Sequence, residues 1–386
     1  MRMRNIIVLG EVIMLLVVSI YLSALYLPHY INQLPDFYKM STKDFHTHTQ
    51  HKLSMRTDSI EVERHRQSFT VQEERNYLAN FSSLDSCFVS SNAIYGAAGK
   101  SPCYDSKSFI ESVSSGGRIG VDAPYHCQGC ALWWHSTEDI CTILSRYEHI
   151  LFVGDESIEN VFGGLLSLLR EDLMYGSLMP WAFINDWQAN ECTCDKAFSS
   201  SACPVTRPTS VRQILDHNSN MIKCRGAPIA NVEIIRLPSL DLNANEESIR
   251  EVQTRLVRLI ARDSNPVAFI YSHGFDLEIA TTWLAHARDA LVPCIPRAVT
   301  LHEIFLTPGA SGPQVSNSKL ATHGLQATQR FENGMRERAR TVGFDVLGTW
   351  NATVQTRFLD DGLHNGVAVN LLKAMMVVNW LELVEQ

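Results

Sequence analysis

Beyond residue 149 the chain alternates short apolar runs with helix-length stretches, and this alternation restricts the fold more than any other feature. The runs are Ile150–Val153, Val232–Leu237, Val267–Tyr271, Glu303–Thr307 and the weaker Phe344–Gly348. They are rich in β-branched and aromatic residues, which suit a pleated surface. Between them Ile158, Val161, Phe162, Leu165, Leu169 and Leu173 recur at helical spacing. Ile249, Val252, Leu256, Leu259 and Ile260 do the same, as do Ile279, Trp283, Leu284 and Ala287. Val367–Leu383 forms a last apolar-faced helix. Strands separated by helices cannot pair as hairpins, so the expectation is an α/β fold: a parallel sheet with helices on both faces. Ligands of such sheets lie beyond the carboxyl ends of the strands, and the residues that follow each strand become the first candidates for a site.

The segment Ile6 to Leu27 carries one charge, Glu11, and as a helix would span roughly 33 Å, enough for a hydrocarbon core. Arg2 and Arg4 precede it, and no Lys or Arg follows before Lys39. The positive-inside rule then predicts a cytosolic N-terminus, an uncleaved signal anchor and a lumenal remainder, in a type II membrane protein of the secretory pathway, the Golgi being the expected station. All ten cysteines lie after this segment, which in an oxidising lumen reads as disulfides. Cys127-Gln128-Gly129-Cys130 lacks a second Cys or His pair at finger spacing, so no metal is expected. The triplets Asn80-Phe81-Ser82 and Asn351-Ala352-Thr353 are compatible with glycosylation.

The expected organisation is residues 1–32 as cytosolic tail and transmembrane helix, 33–86 as a polar lumenal stem, and 87–386 as the folded domain. Within it, residues 87–145 read as an irregular, disulfide-held lead-in. With 45% hydrophobic and 19% charged residues the chain can bury a core. Its net charge of −8 and lack of a Lys/Arg run exclude a nucleic-acid footprint.

Two loops carry residues suited to acyl transfer. After the first strand comes Gly154-Asp155-Glu156-Ser157. Gly154 permits a sharp turn, and a Ser157 hydroxyl at the corner would stand over free helix N–H groups able to hold an oxyanion. Before the last helix comes Asp361-Gly362-Leu363-His364, in which Asp361 can orient the His364 imidazole as a general base. Each motif alone is also an ordinary capped helix start. Together, at the first strand and the last helix, they form a Ser157, His364, Asp361 constellation.

These motifs resemble the PC-esterase family of SGNH (GDSL-like) proteins, which includes plant trichome birefringence-like polysaccharide O-acetyltransferases and fungal capsule O-acetylation proteins. Phe152-Val153-Gly154-Asp155 and Asp361-Gly362-Leu363-His364 match its two signatures. The Cys127–Cys130 lead-in with Trp133-Trp134 and Cys141, and the run Asn370 to Trp380, are similar to the family as well. The resemblance implies an SGNH-hydrolase-like domain after the N-terminal transmembrane helix. Its implied activity is that of a secretory-pathway acyl-esterase or polysaccharide O-acetyltransferase working through a Ser–His–Asp acyl-enzyme. Its implied partners are a glycan or acyl-ester substrate, with an acetyl donor if it transfers; no cofactor is implied. Gly274, in Tyr271-Ser272-His273-Gly274, stands where the family places an oxyanion glycine, beside Gly154, Asp155 and Glu156. The family's serine falls at Glu156, one place before Ser157, and its frequent arginine falls at Glu159. If residue 156 is the exposed corner, Glu156 faces His364 and Ser157 turns away. The alternative is then a catalytically inactive lumenal protein that binds glycans or a partner.

Overall fold

The computed structural model describes residues 77–90, 94–96, 100–224, 229, 231–237, 246–259, 265–357 and 362–385. Two compact units divide the chain, residues 1–68 and 69–386, and all described residues belong to the second. The expected signal anchor, Ile6 to Leu27, lies outside the described residues, as does Asp361. One described helix, Val367–Val384, is long and apolar enough to cross a membrane, but most of it is buried inside the domain.

Five strands form one parallel sheet: β1 (His149–Gly154), β2 (Asn231–Arg236), β3 (Val267–Ser272), β4 (Leu301–Leu306) and β5 (Asp345–Leu347), in the order β2-β1-β3-β4-β5. The apolar runs thus all become strands. The principal helices are α1 (Ser106–Ser114), α2 (Thr137–Leu144), α3 (Glu156–Arg170), α4 (Glu246–Leu259), α5 (Leu277–Leu291), α6 (Leu325–Val342) and α7 (Val367–Val384). Side chains alternate across the sheet, as the two-residue period of a strand requires. Ile150 and Phe152 enter a core with α1, α2, α3 and α7. Leu151 and Val153 enter another with α4, α5 and α6. Helices therefore cover both faces.

Two expectations need correction. The segment 87–145 is not irregular throughout, because it contains α1 and α2, and α2 starts with a capping box between Ser136 and Asp139. Packing also begins before residue 87: Leu78 and Phe81 are buried in the same core as α7. Helix α6 carries only a sparse apolar face: its Phe331, Met335 and Ala339 are buried at four-residue spacing on an otherwise charged helix.

Eight cysteines pair, as Cys87–Cys194, Cys103–Cys130, Cys141–Cys224 and Cys192–Cys203, while Cys127 and Cys294 are free thiols. Asn80 is exposed. Asn351 is a poorer acceptor for glycan than its triplet suggested, because it is half-buried and its amide donates to Ser114 O at 2.8 Å.

Helix α7 is apolar on every side because it lies inside the domain, against α1, α2 and α3. It approaches α3 closely at Gly164, where an added Cβ would sit 2.3 Å from Asn370 O. This contact lays the start of α7 against the middle of α3. Gly164→Ala is expected to lower stability: overpacking against backbone costs about 1–3 kcal/mol, more than the ~1 kcal/mol gained in helix propensity. A urea midpoint that rises in this variant would contradict the close approach.

Candidate functional site

The strand order reverses direction between β1 and β3, which makes the carboxyl ends of these strands the crevice where doubly wound sheets bind ligands. The chain leaves β1 through Gly154, whose φ of +151° few L-residues adopt. Asp155 is the N-cap of α3, so the helix starts at Glu156 and not after Ser157. The Asp155 carboxylate joins the two strand ends. Its Oδ1 accepts from Ser157 N at 2.9 Å, and its Oδ2 accepts from Gly274 N at 2.7 Å. The N–H groups of Ser157 and of the oxyanion candidate Gly274 are thereby both engaged by one carboxylate.

His364 reaches this corner, where Glu156 is one of its partners: Nε2 to Oε2 is 3.2 Å. Among the described residues Ser157 Oγ makes no hydrogen bond, to His364 or to any other group. The reason is helical register. With Asp155 as cap, Glu156 and Ser157 are the first two helical residues, and successive residues turn by about 100°. Glu156 is the half-exposed one that faces the imidazole.

A chain of charges extends from Glu156. Arg207 Nη1 lies 4.0 Å from Glu156 Oε1 and 3.4 Å from Glu159 Oε2. Arg236, at the end of β2, donates through Nε to Glu159 Oε1 at 2.9 Å. Arg207 is buried, its Nη2 donating to Ala197 O at 3.1 Å. Burial disfavours its charge, and the carboxylates of Glu159 and Glu156 offset that. Both carboxylates stand in the first turn of α3, where the helix dipole favours negative charge. Behind the pair a space of about 10 Å³, lined by Asn160, Ser177, Phe198 and Pro208, holds no more than about one water. On the outer side Glu156 is half-exposed and His364 is partly exposed.

Arg207, Arg236 and Asp195, which supports the His364 loop, were not singled out in the sequence. The acidic Glu159 in the first turn of α3 was the one hint that cations stood opposite. Nothing local tied that hint to Arg207, which comes from a segment between α3 and β2. Among the described residues no group of three or more His, Cys, Asp or Glu side chains is placed to hold a metal ion. Comparison with family models, with curated proteins and with solved structures found no match for this chain.

Proposed function

We propose that this chain is a secretory-pathway membrane protein with an SGNH-like lumenal domain that binds acylated or plain glycan at the β1–β3 crevice without serine-based acyl transfer. The observation that carries the reading is the Glu156–His364 pair. A general base must offer a neutral imidazole to a hydroxyl within hydrogen-bond reach. A carboxylate on Nε2 occupies the ring nitrogen that would otherwise face a hydroxyl. It also repels the oxyanion that an attacked ester develops. Among the described residues the Ser157 hydroxyl hydrogen-bonds to no base, and Asp155 accepts from the N–H groups of Ser157 and Gly274.

What remains suits recognition of hydroxyl-rich ligands. Glu156 is an exposed acceptor, with His364 and Arg207 beside it. Trp181, stacked on His217 with ring centroids 3.9 Å apart, is partly exposed on the segment that delivers Arg207. The segment is aligned there by Met179 N donating to Thr206 O. The four disulfides are consistent with an oxidising lumen, and Arg2 and Arg4 before Ile6 to Leu27 support the membrane orientation.

The test uses the detergent-purified full chain, a fluorophosphonate probe and an array of plain and O-acetylated oligosaccharides. The expected result is no labelling and no acetate release, with glycan binding that weakens roughly tenfold in Glu156→Gln, the loss of a charge-assisted hydrogen bond. Labelling of Ser157, or turnover abolished by Ser157→Ala, would establish the esterase or acetyltransferase reading instead.

A further inference from the structure

Helix α7 begins at Val367, three residues beyond His364, and no side chain of its own N-cap residue closes that end. The end is closed from elsewhere in the chain: Val367 N donates to Asp195 Oδ1 at 2.7 Å. The fit is tight, since a Cβ on Gly366 would sit 2.1 Å from the same oxygen. Asn370 supports the loop from the other side, its Nδ2 donating to Asn365 O at 2.8 Å and Gly366 O at 3.1 Å. The backbone immediately after His364 is therefore held by one carboxylate and one amide.

Asp195 follows Cys194, which is bonded to Cys87. Cys192, two residues before Cys194, is bonded to Cys203. Four residues past Cys203 the same segment delivers Arg207 to Glu159 and Glu156. One disulfide-tied segment thus grips both members of the pair, Glu156 through Arg207 and the His364 loop through Asp195.

We propose that Asp195 is a positioning residue for His364, and that the Cys192–Cys203 disulfide makes this positioning depend on an oxidising environment. The importance of the pair to ligand binding rests on the function proposed above; the positioning itself rests on the geometry alone.

The test is carbethoxylation of the folded full chain by diethyl pyrocarbonate, with the rate at each histidine followed by mass spectrometry. The exposed His217 serves as internal reference. In Asp195→Ala the rate at His364 is expected to rise about fivefold, the equivalent of the ~1 kcal/mol that a helix cap contributes, while His217 is unchanged. Asp195→Asn still offers an oxygen to Val367 N and is expected to stay near the wild-type rate. The double variant Cys192→Ser, Cys203→Ser is expected to reproduce the rise without touching Asp195. An unchanged His364 rate in both Asp195→Ala and the cysteine variant would overturn the proposal. So would an equal rise at His217, which marks general loosening. Ester turnover by the wild type, or failure to bind glycan, would refute the proposed function and leave this result standing.

Discussion

Replacing Gly154 with alanine is expected to prevent the domain from accumulating in folded form. An added Cβ would lie 1.8 Å from the carbonyl oxygen of Ser272 and 2.9 Å from its carbon. Neither atom can yield, because Ser272 ends β3 in register with Gly154 and both residues belong to the central pair of strands. The φ of +151° adds strain of its own. Together these exceed the ~4 kcal/mol beyond which single substitutions are exceptional, against a total stability of about 5–15 kcal/mol. Gly343→Ala provides the control. Gly343 has φ +70° but an added Cβ there meets nothing within 4 Å, so only the left-handed strain of about 1–2 kcal/mol applies. Soluble yield and thermal midpoint, compared between the two variants, give the answer. A Gly154→Ala protein as stable as Gly343→Ala would mean that the turn after β1 is not built as described.

The second large effect concerns acid. His149 opens β1 and is fully buried. Burial, and next to it the charge of Arg255, pushes its pKa down from 6.5 to about 4. The unfolded chain therefore takes up a proton on this side chain below pH 6.5, while the folded chain resists until about pH 4. The contribution is present above pH 6.5 and is lost as the pH falls toward 4. At about 1.4 kcal/mol per unit the loss amounts to about 3 kcal/mol. The neighbouring Glu233, paired with Arg255 at 2.8 Å, acts in the opposite sense, since burial raises its pKa. The useful quantity is therefore the difference between the wild type and His149→Gln. Urea unfolding across pH 4 to 7 should give a steeper fall for the wild type. Parallel curves would show that His149 is protonated as easily in the folded domain as outside it.

The lumenal setting and the glycan ligand are proposals of a different kind from these two effects. They depend on the segment before residue 77 and on the ligand chemistry of one crevice. Stability variants leave both untouched, whereas the phosphonate and glycan experiments address them directly.

The sheet was legible in the sequence because strand and helix periods are local. Ile150 to Val153 alternates between two cores, and Ile158 to Leu169 keeps one face, whatever lies elsewhere in the chain. Helix α6 is not legible in the same way, because its buried Phe331, Met335 and Ala339 are sparse among charged residues. A helix after the last strand must pack back on the sheet, and the loop before it carries His364 to the β1 turn. Which residue it would meet there did not follow. Glu156 and Ser157 are adjacent, and the choice between them turns on whether the cap is Asp155, a matter settled by its two bonds to Ser157 N and Gly274 N. Gly274 is far from Asp155 in sequence, so no local pattern could announce the second bond. The same holds for Arg207 and Asp195. Disulfides Cys87–Cys194 and Cys192–Cys203 bring them to the site, and connectivity among ten cysteines is not written in their spacing. Sequence alone determined the layers of this protein and the two loops that meet. Tertiary structure alone decided that a glutamate, not a serine, faces the histidine, because helix register and long-range pairing are fixed only when the whole core closes.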